Sequence, residues 1–198
     1  MIQQDLKRTH DRDFHLLREE EDYEGLVRIL IREKKARALK AAQELIRLGN
    51  GSTPYIRPLL SHNDPEIRFH ALTILLAIAD PRCSQLFVRI ALSMKTPEEG
   101  GGEKTAALLH SIGGALRKTG QTALILALEE ALRDNNQIVI IRAIQLLQRT
   151  GGSKGIDTLH LAMKHPSENV RFFALKTLGI LGDERTIDWI YDMQRDQN

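Results

Sequence analysis

A sixteen-residue segment of this sequence occurs twice, and the two copies limit what the chain can fold into. Residues 67–82 read IRFHALTILLAIADPR, and residues 170–185 read VRFFALKTLGILGDER. Seven of the sixteen aligned positions are identical, including an arginine near the start and an aspartate near the end of each copy. Agreement at this level indicates an internal repeat. A chain built from repeats folds as a row of similar units, each packed against the next.

The same frame recurs more weakly elsewhere, and five positions form one column of the repeat. They are Gly49, Ala79, Gly120, Gly151 and Gly182, separated by 30, 41, 31 and 31 residues. The unit is therefore about 31 residues long, and the one longer interval contains an insertion. The segment TPEEGGGE, residues 96–103, is rich in glycine and contains a proline. We therefore predict a surface loop there.

Each unit is predicted to be a pair of helices. Val170, Ala174, Leu178 and Leu181 lie at helical spacing and form one apolar stripe. The glycine that follows, Gly182, is typical of a left-handed cap that ends a helix, and the other glycines of its column are placed to do the same. A shorter amphipathic segment follows each cap. Two such helices cannot bury their apolar faces alone. The predicted fold class is therefore all-α, a right-handed α-solenoid of about five helical hairpins.

Composition and charge support this division of the chain. Only nine of the 198 residues are aromatic, whereas Leu, Ala, Arg, Glu and Gln, which favour helices, are abundant. Residues 1–24 carry eight acidic and four basic side chains, and the rest of the chain carries 18 acidic and 24 basic ones. We therefore predict an acidic N-terminal capping helix over residues 1–21, with Phe14, Leu16 and Leu17 turned inward. A basic repeat domain would occupy residues 22–198.

The repeat pattern V/I-R-x-x-A-L-x-x-L-x-x-L/I-G/A-D is clearest at 170–183 and 67–80. It resembles the HEAT-repeat family, specifically its short, phycobilisome-lyase-like (PBS lyase-like) variety, and the resemblance extends more weakly over residues 22–196. It implies an armadillo-like superhelix that acts as a protein-binding scaffold. It also implies a structural ladder of hydrogen bonds within and between repeats, formed by Arg68, Asp80, Arg171 and Asp183.

The common catalytic and metal-binding patterns are missing from the sequence. The seven histidines include no pair at i, i+4, the spacing that places two ligands on one helical face. TGGSKG, residues 150–155, lacks the phosphate-loop spacing G-x-x-x-x-G-K-[ST]. We therefore predict no catalytic residues, no metal, no cofactor and no enzymatic activity. A phycobilin-lyase-like or other enzyme-associated module is the alternative that stays open.

The cysteine count and hydropathy indicate the compartment. The single cysteine, Cys83, cannot form an internal disulfide. The N-terminus is polar, and no apolar run approaches the roughly 20 residues of a membrane-spanning helix. These features predict a cytoplasmic protein that does not enter the membrane.

Function is expected on a concave groove lined by the second helix of each unit. The third, sixth and tenth positions after the Val170 column point away from the apolar stripe, and none of these fifteen side chains is a carboxylate. Bases without acids favour an acidic protein segment as the partner. Two alternatives are that the bases only solvate an exposed face, or that they bind nucleic-acid phosphates. The predicted groove residues are Lys40, Arg47, His70, Lys118, Arg142, Gln145, Arg149, Phe173 and Lys176.

A second candidate interface lies at the C-terminal end, where aromatic side chains concentrate. Phe172, Trp189 and Tyr191 are predicted to form an apolar end patch, and such a patch can bind a partner or a second copy of the chain. The chain would then be a monomer or a homodimer through this end. In the alternative interpretation, these rings pack the last hairpin against its neighbour.

Overall fold

The computed structural model describes residues 14–33, 36–94, 102–150 and 153–187. All regular secondary structure in these ranges is helical, which confirms the all-α prediction for the described part of the chain. The chain divides into two compact units, Met1–Asp80 and Pro81–Asn198. Among the helices in the described ranges, we find none with both the length and the apolar character that a membrane crossing requires.

The first unit is a set of packed helices. The helices are α1 (Phe14–Glu19), α2 (Tyr23–Arg32), α3 (Ala36–Leu48), α4 (Thr53–Ile56) and α5 (Pro65–Ile78). Helix α2 packs against α3, α3 packs against α5, and α4 contacts both α2 and α5. Short 3₁₀ turns at Gly49–Ser52 and Arg57–Ser61 flank α4.

Helix α1 is the described part of the predicted N-terminal capping helix, and it contacts both α2 and α3. Leu17 is fully buried, as expected, and Phe14 lies beneath the Arg37 guanidinium at 5.2 Å. The inward orientation predicted for Leu16 is wrong, because this side chain is 48% exposed. Neighbouring residues on a helix point about 100° apart, so burying Leu17 turns Leu16 toward solvent. Residues 1–13 of the predicted capping helix lie outside the described residues.

The second unit stacks its helices in two layers. The helices are α6 (Ser84–Ser93), α7 (Glu103–Thr119), α8 (Thr122–Arg133), α9 (Gln137–Thr150), α10 (Ile156–Ala162) and α11 (Glu168–Leu181). Helix α9 packs against both α7 and α11, while α8 contacts both α6 and α10. The layers are joined because α6 packs on α7, α8 on α9, and α10 on α11.

The core of the second unit is built from the apolar stripes that the repeat predicts. Val170, Ala174 and Leu178 of α11 are fully buried, and so are Ile144 and Leu147 of α9. Burial of apolar surface between stacked helices is therefore the main stabilising contribution in this unit.

The predicted loop at 96–103 falls between α6 and α7. Gly102 is the extended N-cap residue of α7, and Glu103 is the first residue of the helix. The last residue of the predicted loop is therefore helical, which corrects the prediction at that point. A carboxylate in the first turn interacts favourably with the positive end of the helix dipole. Residues 95–101 lie outside the described residues.

The glycine column marks helix ends. Gly182 follows α11 in the left-handed conformation with φ 72° and ψ 33°, and Gly49 has φ 65°. Ala79 adopts the same conformation, with φ 53° and ψ 49°, at the column's one non-glycine position. Gly120 departs from the prediction because its φ of 94° is combined with a ψ of 157°, which is not helical. Gly151 lies outside the described residues.

Two glycines three residues apart provide a matched test of the left-handed cap. Apart from the glycine, its two chain neighbours and the nearby backbone of its own helix, no atom of the described residues lies within 4 Å of a Cβ built on Gly179 or on Gly182. Backbone conformation therefore distinguishes the two positions. We expect Gly182→Ala to lower the free energy of unfolding by about 1–2 kcal/mol, because a Cβ is disfavoured in left-handed helical backbone. We expect Gly179→Ala to raise it by roughly 0.5–1 kcal/mol, since Gly179 is inside a helix. Urea titrations measure both, and effects of the same sign would contradict the assignment.

Candidate binding face on the second unit

The nine predicted groove residues are distributed over both units. Lys40 and Arg47 lie on α3, and His70 lies on α5. The other six lie on three helices of one layer of the second unit, which we call the α7–α9–α11 face. They are Lys118 on α7, Arg142, Gln145 and Arg149 on α9, and Phe173 and Lys176 on α11.

The three α9 residues of this set line one cleft. Arg142, Gln145 and Arg149 follow one another at about one helical turn, and they border the cleft together with apolar Leu109 and Leu146. The cavity volume is about 10 Å³, which is roughly the space that one water molecule needs. Within the part of the chain that the structure describes, no carboxylate lines this cleft. The cleft is too small for an organic cofactor, but its rim presents two guanidinium groups and an amide.

Arg142 is held in place by the end of a neighbouring helix. Its Nη1 donates a hydrogen bond to the carbonyl oxygen of Leu92 at 2.7 Å, and the side chain is half-buried. Leu92 is in the last turn of α6, where backbone carbonyls have no partner within the helix. The bond therefore satisfies one of these carbonyls and fixes the guanidinium beside the cleft.

Arg117 adds a further base that the spacing argument missed. Its Nη1 donates to the carbonyl oxygen of Arg149 at 2.7 Å, and its side chain is exposed beside Lys118. A Cβ built on Gly113 would lie 3.7 Å from the Cβ of Arg149. This is an ordinary van der Waals distance, so α7 and α9 lie in contact at this point. In the sequence, Arg117 and Lys118 follow Gly113 and Gly114 by about one helical turn. This pattern could have identified Arg117 as a candidate.

The α11 part of the face is mostly apolar. Phe173 is half-buried and forms an edge-to-face pair with Phe172, with ring centroids 5.6 Å apart and an interplanar angle of 78°. Phe172 is 58% exposed and Ile180 is 55% exposed. Lys176 is exposed between them along the helix. Of the predicted end patch, only Phe172 is described, because Trp189 and Tyr191 lie outside the described residues.

In the first unit, a carboxylate reduces the positive charge of the predicted groove residues. Glu44 is buried, and its Oε1 lies 2.5 Å from Nη1 of Arg47. Its Oε2 accepts a hydrogen bond from Arg18 of α1 at 3.1 Å. The outward-facing positions of the repeat do not include Glu44, but a residue three before Arg47 on a helix is close enough to pair with it. Arg47 is therefore paired with a carboxylate and is not a free positive charge on the first unit.

The two arginines of the predicted ladder make matching contacts. Arg68 Nη1 donates to the carbonyl oxygens of His62 and Asn63 at 2.7 and 2.8 Å. Arg171 Nη1 donates to those of His165 and Pro166 at 3.0 and 2.7 Å. Each arginine thus fixes the turn that precedes its own helix. These contacts give the arginines a structural role at both copies of the repeat.

The histidines of these turns are part of the same repeated structure. Nδ1 of His62 accepts from the backbone N–H of Asp64, and Nδ1 of His165 accepts from that of Ser167, both at 3.1 Å. The histidines lie six residues before Arg68 and Arg171 in the two copies. Because both histidines occupy the same position of the repeat, comparing the two copies indicates a shared structural role for them. A search for metal-binding spacing does not detect this role.

The two aspartates of the predicted ladder are little exposed. Asp80 is buried, and Asp183 lies 3.1 Å from both Arg185 Nε and His160 Nε2. Burial alone would raise the pKa of Asp183, but the hydrogen bond and positive charge of Arg185, together with the charge of His160, lower it overall. Asp183 is therefore held as a carboxylate that joins α10 to the turn after α11.

Comparison with known proteins supports the repeat interpretation. The sequence profile of HEAT repeats matches residues 125–198, a range that begins within α8 and includes α9, α10 and α11. A search of curated proteins finds no match. The profile match and the all-helical structure support a HEAT-repeat protein, without selecting the phycobilisome-lyase-like variety.

Proposed function

We propose that the chain is a non-enzymatic protein-binding scaffold, and that its α7–α9–α11 face captures an acidic segment of a partner protein. The observation that carries this proposal is the cleft on α9, which Arg142, Gln145 and Arg149 line together and whose lining includes no carboxylate of the described residues. HEAT repeats, which the profile detects over residues 125–198, commonly act as protein-interaction scaffolds.

The chemistry of the face suits carboxylates. A guanidinium group presents a planar fork of N–H donors that can bind a carboxylate in two-point fashion. Lys118 and Arg117, both exposed on the neighbouring helix α7, add positive charge to the face. Such an arrangement increases the rate of association with an acidic segment, and salt weakens it.

The apolar residues of α11 favour a protein segment over nucleic acid. A nucleic-acid groove follows the phosphate backbone with a continuous line of bases. Here the basic residues lie on α7 and α9, whereas the adjacent helix α11 exposes Phe172 and Ile180. The bases therefore do not continue across the face. A polypeptide can match both chemistries with its own side chains.

Fluorescence anisotropy with labelled probes tests this proposal. The probes are an acidic peptide, a neutral peptide in which Gln and Asn replace Glu and Asp, and a single-stranded DNA of similar length, each at low and high salt. We expect the acidic peptide to bind at least about tenfold more tightly than either other probe, and high salt to weaken it. Preferential binding of the DNA, or equal binding of the two peptides, would contradict the proposal.

A further inference from the structure

We infer that the captured segment is bipartite, with acidic residues that contact α7 and α9 and one large apolar residue that contacts α11. This inference rests on the proposed function and adds the sequence pattern of the partner. It follows from the way the chemistry of the face changes from one repeat to the next.

Equivalent positions of the repeat differ in character between α9 and α11. Arg142 corresponds to Phe173, and Arg149 corresponds to Ile180, each pair being 31 residues apart. Since α9 and α11 pack against each other, these pairs lie side by side on neighbouring helices. The face therefore changes from basic to apolar over the distance between two helix axes.

The apolar half of the face is exposed to solvent. Phe172 and Ile180 are both more than half exposed. Lys176 lies among them and keeps one positive charge at the boundary. Covering such side chains with a Phe, Leu or Ile of the partner removes apolar surface from water on both sides.

The spacing of the partner residues follows from the helix packing. Axes of packed helices lie about 8–10 Å apart, and an extended peptide advances roughly 3.3–3.6 Å per residue. A partner residue over α11 therefore lies about three residues from one over α9. The predicted pattern is a pair of acidic residues and, about three residues away, a large apolar residue.

Peptides of equal charge separate the two contributions. The first peptide carries a Glu-Glu pair with Phe three residues away, the second carries Ser in place of Phe, and the third carries Phe at the far end. A fourth places the Phe three residues before the Glu pair. The first and fourth peptides differ only in the chain direction from the Glu pair to the Phe, so one of them matches the direction in which the segment binds. We expect that peptide to bind about tenfold more tightly than the second and third.

The matching change in the chain is Ile180→Ser, which alters an exposed position. We expect it to remove most of the advantage of the Phe-containing peptide while leaving the affinity of the Ser peptide unchanged. The control is Leu161→Ser on α10, a side chain with a similar exposure of 58%, which we expect to change neither affinity.

The outcomes distinguish this inference from the function on which it rests. Equal binding of all four peptides, weakened by salt and unaffected by Ile180→Ser, would overturn the bipartite pattern and leave acidic-segment capture intact. Failure of every peptide to bind would overturn both.

Discussion

Changing Lys118 and Arg149 to glutamate is expected to lower the affinity for an acidic peptide by at least about a hundredfold at low salt. The double variant Lys118→Glu, Arg149→Glu replaces two attractive charges on the α7–α9–α11 face with two repulsive ones. Both side chains are exposed, and the hydrogen bond that Arg117 donates goes to the backbone carbonyl of Arg149, which the substitution retains. The fold should therefore persist. Isothermal titration calorimetry measures the loss, and circular dichroism checks the helix content.

A control variant separates a local effect from the change in net charge. Arg133→Glu, Lys154→Glu makes the same total change at two exposed positions outside the face, at the end of α8 and in the turn before α10. We expect this variant to lose no more than a few-fold in affinity, because the changed charges act on the peptide only over a long distance, where salt screens them. An equal loss in the two double variants would show that net charge, and not this face, determines binding.

Truncating Ile144 is expected to have the largest effect on stability, with Leu175 as its matched control. The two residues are 31 apart and occupy one position of the repeat. Ile144 is fully buried on α9, whereas Leu175 on α11 is 37% exposed. We expect Ile144→Ala to lower the free energy of unfolding by about 2–5 kcal/mol because it leaves a cavity in the core. We expect Leu175→Ala to cost less than about 1 kcal/mol.

Urea titrations followed by circular dichroism measure both values. The two variants test the stacking of the helices, because they truncate the same position of the repeat in two surroundings. On α9, which packs against α7 and α11, this position is covered. On α11 it is partly exposed. Similar losses for the two variants would mean that α11 is covered in solution as α9 is. That result would contradict the partial exposure of Leu175 on α11.

Much of the fold could be predicted because the repeat makes each signal recur. The column that contains Gly49 and Gly182 marks helix ends, since a left-handed cap favours glycine wherever it occurs. The stripe at Val170 and Leu178 is buried, since helical spacing alone determines which positions face inward. The prediction was wrong where the choice between two adjacent apolar residues determines which one is buried. At Leu16 and Leu17, it is Leu17 that is buried.

The candidate face was only partly predictable because side-chain partners depend on contacts between distant elements. Outward spacing does not show that Glu44 reaches Arg47 and Arg18, or that Arg142 bonds to a carbonyl at the end of α6. It also misses Arg117, whose guanidinium reaches across to α9. Local patterns predict which residues are exposed, whereas the packing of helices determines which of them meet.

Mapping the bound peptide on the protein by NMR locates the binding surface. Backbone amide and arginine Nε–H chemical shifts of labelled protein are followed during titration with the acidic peptide. We predict that the largest changes occur at Lys118, Arg142, Gln145 and Arg149. Largest changes on α6, α8 and α10, or in the first unit, would contradict the assignment of acidic-segment capture to the α7–α9–α11 face.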